Sequence, residues 1–167
     1  FGWLGRGGEG KRRFDVSKGV LYKYIKNNSI QTCARLDYIN DKFKLKATGA
    51  AYGYGYNLHL DGGSSLKPVV ITSLSSPSTV AFLADAAQVN TFQSPASKTN
   101  PMIEEFYYVN NREQTAHFRH NKESYVAFCD GRVELVGFSS GSIDHRLPEQ
   151  WIGRLPSKVL LLNVYRE

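Results

Sequence analysis

The stretch Thr115–Phe138, TAHFRHNKESYVAFCDGRVELVGF, decides how the rest of the sequence is interpreted. It contains two runs typical of β-strands, Tyr125–Cys129 and Arg132–Val136, on either side of Asp130–Gly131. Asp-Gly between two such runs is a strong hairpin signal, because both residues tolerate the positive φ of a type I′ turn. The stretch therefore predicts an antiparallel ribbon with a two-residue turn.

A two-residue turn also predicts which side chains share a face of this ribbon. It places Phe128 opposite Val133 and Val126 opposite Leu135. These four apolar side chains would form one buried face, because side chains alternate along a strand. A shift of one residue would expose the apolar set, so we expect the register to be well specified.

The stretch also has a fixed spacing, in which nine residues separate His120 from Asp130–Gly131. Three earlier segments accompany it in order: GVLYKYIK (19–26) ahead of Cys33, GYGYNLHL (53–60) and SLSSPSTVAFLAD (73–85). Together, over residues 19–138, they resemble the H-x9-DG domain of prepilin-type, pseudopilin-like bacterial proteins. In that resemblance His120, Asp130 and Gly131 are the family-motif residues, and we expect a structural role for them.

The resemblance implies an α+β fold, a pilin-like head in which an antiparallel sheet carries short helices and long loops. It implies a single domain, 1–167, with a Gly-rich basic loop (1–14), a core (19–138) containing the hairpin (120–138), and a C-terminal extension (139–167). Such proteins have an N-terminal hydrophobic helix, and the chain has no apolar run of the ~20 residues that span a bilayer. We therefore interpret the chain as the periplasmic or extracellular head of a longer membrane-anchored precursor.

The function that the resemblance implies is structural, without enzymatic activity. We expect a subunit of a bacterial cell-envelope assembly of the pseudopilus, type IV pilus or type II secretion kind. Its partners would be other pilin-like subunits, secreted protein cargo and, through the N-terminal helix, the inner membrane. The net charge of +6 over 167 residues is a modest surplus, and we expect no nucleic acid partner.

The sequence offers no convincing nucleotide or redox site. Residues 1–14 match part of a phosphate-loop pattern, but only four residues precede Gly5, and Arg12 stands where a P-loop needs Ser or Thr. We therefore predict no bound nucleotide and interpret the segment as a loop. Two cysteines do not make a disulfide framework, and a bridge between Cys33 and Cys129 stays open.

Three tyrosines, Tyr52, Tyr54 and Tyr56, share one face of a predicted strand. Burial against the core is the interpretation we favour, and a carbohydrate- or surface-binding module using this face is the alternative function. Between them, Gly53 and Gly55 leave the other face bare, which invites close approach by another backbone or ring.

Histidines and carboxylates do not form a recognisable catalytic or metal motif. His117 and His120 lie three apart in an extended run and so point to opposite faces. A metal-dependent hydrolase using His120 and Asp130 is the least favoured function. The resemblance admits calcium, since some major pseudopilins hold it near the C-terminus, but this chain has no dense carboxylate cluster. We assign no catalytic, cofactor-binding or metal-binding residues. The wider set considered was His117, His120, His145, Asp130, Glu134 and Asp144.

Six further expectations concern single elements. The run Thr79–Ala84 is apolar on both faces and predicts a strand at the centre of a sheet. A short helix should end at Lys26, with Val20, Leu21, Tyr24 and Ile25 facing the core. Residues 88–101 are polar and predict a long exposed loop. Residues 69–71 and 104–109 predict strands, and 147–152 predict one helical turn.

Overall fold

The computed structural model describes residues 15–26, 33–46, 53–62 and 68–160, and it shows a mixed fold made mostly of strands. The one α-helix in these ranges, α1 (Tyr22–Ile25), is a single turn. No helix within them is long and apolar enough to cross a membrane. The strands are β1 (Tyr54–Asn57), β2 (Ala81–Asp85), β3 (Ala87–Asn90), β4 (Met102–Glu105), β5 (Tyr108–Val109), β6 (Ala116–His117), β7 (Glu123–Phe128), β8 (Val133–Gly137) and β9 (Ile152–Gly153). The 3-10 helices are Val16–Lys18, Leu58–Asp61, Ile71–Ser73, Pro77–Thr79, Pro148–Gln150 and Ser157–Val159.

Five strands form the main sheet, in the order β5-β1-β2-β7-β8. The β1–β5 pair is parallel and the other three pairs are antiparallel. β2 lies at the centre, which confirms the prediction from its apolar run. Two smaller sheets, β3–β4 and β6–β9, complete the strand pairing.

Buried apolar side chains form three clusters. The largest cluster combines β2 and β7 side chains with the segments around β5 and β6 and with the chain near residue 160. A second cluster lies under β3 and β4, and a third joins Leu60, Leu74 and Val80. Burial at about 25 cal/mol per Å² of apolar surface makes these clusters the main source of stability. The principal buried members of the first cluster are Ala81, Ala84, Phe106, Val109, Phe118, Val126, Phe128, Leu155 and Leu160.

The hairpin forms, but its register differs by one residue from the prediction. Ala127 pairs with Val133 and Tyr125 with Leu135. The closing hydrogen bond, from the Phe128 N–H to the Arg132 carbonyl at 2.8 Å, encloses a three-residue loop, of which Gly131 alone has a positive φ, 90°. A type I turn followed by a left-handed residue is the usual three-residue connection.

This register changes which hairpin side chains are buried. Val126 and Phe128 are buried as predicted, whereas Val133 and Leu135 are 58% and 43% exposed. They lie beside Tyr125, which is 45% exposed, on what we call the outer face of the sheet. The expected single apolar face of four residues was therefore wrong for the second strand.

Other predicted elements are partly wrong. The short helix predicted to end at Lys26 is reduced to a 3-10 turn capped by Asp15 and the single turn α1. Val20 and Tyr24 are exposed there and do not face the core. Residues 87–90 are a strand rather than the start of a loop, because Val89 and Asn90 are buried against β4. Residues 71–73 are a 3-10 helix where a short strand was expected, and the expected strand 104–109 divides into β4 and β5. The expected helical turn within 147–152 is confirmed at 148–150.

The bare face predicted beside the tyrosines is confirmed. A Cβ on Gly55 would lie 2.8 Å from the Ala86 Cβ and 2.8 Å from the Tyr108 backbone. Since real Cβ atoms do not approach so closely, only glycine allows β1 to lie against these neighbours.

Candidate functional site

A buried ion pair lies where β2 ends. Asp85 is the last residue of β2 and is 1% exposed, and Arg119, with a side chain 2% exposed, pairs with it at 2.5 Å from Nη2 to Oδ1. The same guanidinium donates to the carbonyl of Gly53 at 2.8 Å. Arg119 therefore joins β2, the start of β1 and the segment that precedes the hairpin.

The second oxygen of Asp85 also has partners. Oδ2 accepts a hydrogen bond from the Tyr125 N–H at 2.8 Å and lies 3.3 Å from Nε2 of His120. Burial raises the pKa of the Asp85 carboxyl, and Arg119, the Tyr125 N–H and His120 act in the opposite direction. Both carboxyl oxygens are thus engaged by groups that favour the ionised form.

A tight turn positions His120. Its N–H and carbonyl bond reciprocally with those of Glu123, at 3.0 and 3.1 Å, around Asn121 and Lys122. These two residues have φ of 55° and 67°, so the pair of left-handed residues expected at the hairpin loop lies here instead. Non-glycine residues with positive φ persist where the surrounding structure holds them. Here the turn that contains them holds His120 beside the ion pair.

The imidazole of His120 contacts the side chains of Tyr125 and Cys33 in addition to the Asp85 carboxylate. Its ring packs on Tyr125 at 4.5 Å between ring centres, and Nε2 lies 3.4 Å from Sγ of Cys33. Thiol and carboxylate therefore approach the same nitrogen. A Cys-His-Asp nucleophile needs its two partners on opposite ring nitrogens, so this cluster does not have the geometry of such a triad.

His117 lies on the other side of Arg119, in β6, and is buried. Its Nδ1 is 3.1 Å from Nη1 of Arg119 and must accept, since a guanidinium can only donate. Burial, followed by the charge of Arg119, lowers the pKa of His117 to about 3, so the ring stays neutral. It serves as an acceptor that fixes Arg119.

The tyrosine face is divided between internal contacts. Tyr54 lies 5.9 Å from the Arg119 guanidinium, and burial, then the charges of Cys33 and Asp85, raise the pKa of its phenol. Tyr56 packs edge-on against Phe82, at 5.7 Å between ring centres. Both rings are half-buried, and Tyr52 lies outside the described residues, as does the Gly-rich segment 1–14.

The remaining predicted residues do not join this cluster. Asp130 is in the hairpin loop, where Oδ1 accepts from the Arg132 N–H at 3.1 Å, the local turn role expected of it. Glu134 pairs with Arg132, Asp144 pairs with Arg146, and His145 is exposed. Across the described ranges, the one group of three or more potential metal ligands is Cys33, Asp85 and His120.

A second buried carboxylate, Glu104 in β4, has internal partners on both of its oxygens. Oε1 pairs with Lys44 at 2.6 Å, and Oε2 accepts from Asn90 at 3.1 Å and from Gln88. Burial alone would raise the pKa of Glu104, but Lys44, Gln88, Lys46 and Asn90 together hold it below its usual value. Since both oxygens have internal partners, this cluster joins β3, β4 and the 33–46 segment.

Sequence reasoning named His120 but did not group it with Cys33 and Asp85. In the sequence, Cys33 only follows one segment that resembles the family, and Asp85 only ends another. No local pattern in the sequence links the three residues, because Cys33 and His120 alone are 87 positions apart. No family model, curated protein or solved structure matches this chain.

Proposed function

We propose that this chain is the head of a pseudopilin-like subunit of the bacterial cell envelope, which acts by assembling with other pilin-like subunits. The proposal begins from the four segments that resemble the family in sequence. Chance similarities of short segments need not have any spatial relation to one another. Their arrangement in space is therefore independent support.

The observation that carries the proposal is that three of the four segments meet, together with the cysteine that follows the other one. Cys33, which follows the first segment, contacts His120 of the fourth, Gly53 of the second accepts from Arg119, and Asp85 of the third pairs with Arg119. Cys33, Gly53, Asp85, Arg119 and His120 thus build one internal junction, whereas Asp130 and Gly131 of the motif lie in the hairpin loop. In a family whose members share a fold but no reaction, residues with such internal contacts would serve to maintain the fold.

The asparagine of the second segment, Asn57, has a similar internal role. Asn57 is completely buried, and its amide donates to the carbonyls of Ala81 at 2.8 Å and Leu160 at 3.0 Å. Its Oδ1 accepts from the His59 N–H at 3.1 Å. Because both amide protons and the oxygen are used, Asn57 supports the fold and is not free to bind a ligand.

The outer face of the sheet supplies a surface for assembly. Tyr125, Val133 and Leu135 present adjacent apolar groups to solvent on β7 and β8. Apolar patches of this kind mark interaction sites more often than scattered single residues do. In the proposed role, another subunit of the same assembly packs on them.

The test begins with the coding sequence upstream of Phe1. We expect a basic leader, a glycine, Thr-Leu-Ile-Glu-like residues and a long apolar run. The full-length protein should lose its leader only when co-expressed with a prepilin peptidase, as measured by intact mass. A variant with the leader glycine replaced should stay uncleaved. An initiation codon close to Phe1, or a mass unaffected by the peptidase, would overturn the proposal.

A further inference from the structure

Three potential metal-ligand atoms converge on the outer side of β2. Cys33, Asp85 and His120 each offer one such atom, and the three atoms lie within 4.8 Å of one another. Nε2 of His120 is 3.4 Å from Sγ of Cys33 and 3.3 Å from Oδ2 of Asp85. The three residues come from segments far apart in sequence, so local chain geometry does not explain the convergence.

These separations match those of ligands that share one ion. Zinc binds thiolate, imidazole and carboxylate at about 2.0–2.3 Å, so in a tetrahedral site neighbouring ligand atoms lie about 3.4–3.6 Å apart. The observed 3.4 and 3.3 Å are close to those values. The arrangement that fails as a catalytic triad, with both partners at one nitrogen, is therefore suited to coordination.

The chemistry of the ligands selects the metal. A thiolate and an imidazole favour zinc or a similar borderline-soft ion, whereas calcium and magnesium take oxygen ligands. Cys33 and His120 are half-buried, which leaves a fourth position open to water. The calcium ion admitted by the family resemblance has a different ligand requirement from this site.

The surrounding residues hold the ligands in place. Arg119 pairs with Oδ1 of Asp85, so Oδ2 is the oxygen that faces His120. The Tyr125 N–H also bonds to Oδ2 and holds it in this position. The Tyr125 ring packs against the imidazole. Ligand residues in metal sites are usually oriented by such outer contacts.

We propose that Cys33, Asp85 and His120 form a zinc site that ties the 33–46 segment to the main sheet. The inference stands on this geometry alone and does not depend on the assembly role proposed above. Bound zinc would stabilise the folded chain by mass action, since the site does not exist in the unfolded state.

The experiment measures zinc affinity of the reduced 167-residue chain by competition with a chromophoric chelator. We expect one zinc ion per chain, and an affinity at least about 10-fold lower in Cys33→Ser and in His120→Ala. The matched controls are Cys129→Ser and His145→Ala, which should bind as the wild type does. Circular dichroism of each metal-free variant checks that the fold is retained.

Cobalt substitution keeps the proposal falsifiable if a ligand variant fails to fold. The wild type and Cys129→Ser should both show a thiolate-to-cobalt charge-transfer band and tetrahedral d–d bands. A wild-type chain that takes up no zinc or cobalt would overturn the proposal. A charge-transfer band that disappears in Cys129→Ser, or zinc affinity unchanged in a folded Cys33→Ser, would also overturn it.

Discussion

Asp85 is the residue on which the internal junction of Cys33, Gly53, Asp85, Arg119 and His120 depends. It pairs with Arg119 and accepts a hydrogen bond from the Tyr125 N–H while it is nearly excluded from water. Asp85→Asn keeps the size of the side chain but leaves the buried guanidinium without a counter-charge. We expect a loss of roughly 3–5 kcal/mol in the free energy of unfolding, measured by urea denaturation.

The matched control for this change is Asp130→Asn, which makes the same substitution at an exposed turn. Asn also accepts the Arg132 N–H there, so the expected loss is under about 0.5 kcal/mol. Equal losses at the two positions would show that the Asp85–Arg119 pair is not a special contributor to stability.

His117 should make stability depend on pH. In the unfolded chain its pKa is near 6.5, and burial and Arg119 lower it to about 3 in the fold. Between these values the unfolded chain binds a proton that the native chain does not, so stability falls as pH falls from about 6.5. From pH 7 to pH 5 the loss from this group is about 2 kcal/mol, measurable by urea unfolding at both pH values.

The comparison variant is His117→Asn, whose Oδ1 can replace Nδ1 as the acceptor for Arg119. His120 and Arg119 face the ring and stay in place in both proteins, so the difference in pH dependence isolates His117. The variant should lose about 2 kcal/mol less between pH 7 and pH 5 than the wild type does. Parallel pH profiles would mean that His117 titrates normally in the fold.

The sequence could predict residues whose role is local. The Asp130 turn contact follows from the Asp-Gly dipeptide, and the need for glycine at position 55 follows from the alternation with tyrosine. Cys33, Asp85 and His120 could not be grouped this way. Their contacts join segments up to 87 positions apart, and no periodicity encodes which distant segments meet.

The hairpin shows how one extra loop residue changes an element. Asp-Gly predicted the ribbon, but Cys129 joins the loop, since the Cys129 N–H donates to Val80 at 2.9 Å and so bonds to a neighbouring segment instead of to β8. With three residues in the loop, every β8 side chain moves to the opposite face. A local pattern could not predict this, because the competing hydrogen bond comes from outside the hairpin.

Gly131 should carry the strain of this loop. Its φ is 90°, and a Cβ there would meet no atom within 4 Å, so Gly131→Ala tests backbone conformation alone. We expect a loss of about 1–2 kcal/mol in the free energy of unfolding by thermal or urea denaturation.

Gly137→Ala in β8 is the control for Gly131→Ala, since a Cβ there also meets no atom and no positive φ is involved. It should be neutral or stabilising by up to about 1 kcal/mol, because alanine restricts the unfolded chain. A loss at position 137 equal to that at 131 would contradict the assigned turn.

At the scale of the whole molecule, the position of β2 was predictable and the smaller sheets were not. A run that is apolar on both faces must be covered on both, which places it centrally. Residues 88–90 begin the polar stretch 88–101, yet Asn90 is buried through its bond to Glu104 at 3.1 Å. Polar residues enter a core only with a partner, and that partner is 14 positions away.

The assembly role predicts contact between subunits through the outer face of the hairpin. A photo-crosslinking residue in place of Leu135, on edge strand β8, should capture another subunit in envelopes of cells making the full-length protein. The control position is Arg112, exposed after β5 at the opposite edge of the main sheet. Mass spectrometry of the adduct identifies the captured chain.

This crosslink is the most direct measurement of the central claim, which is that the chain folds into a head that assembles with other pilin-like subunits. The account predicts an adduct with a pilin-like subunit from position 135 and at most a trace from position 112. Processed, membrane-anchored protein that yields no subunit adduct from Leu135, or yields equal amounts from both positions, would contradict it.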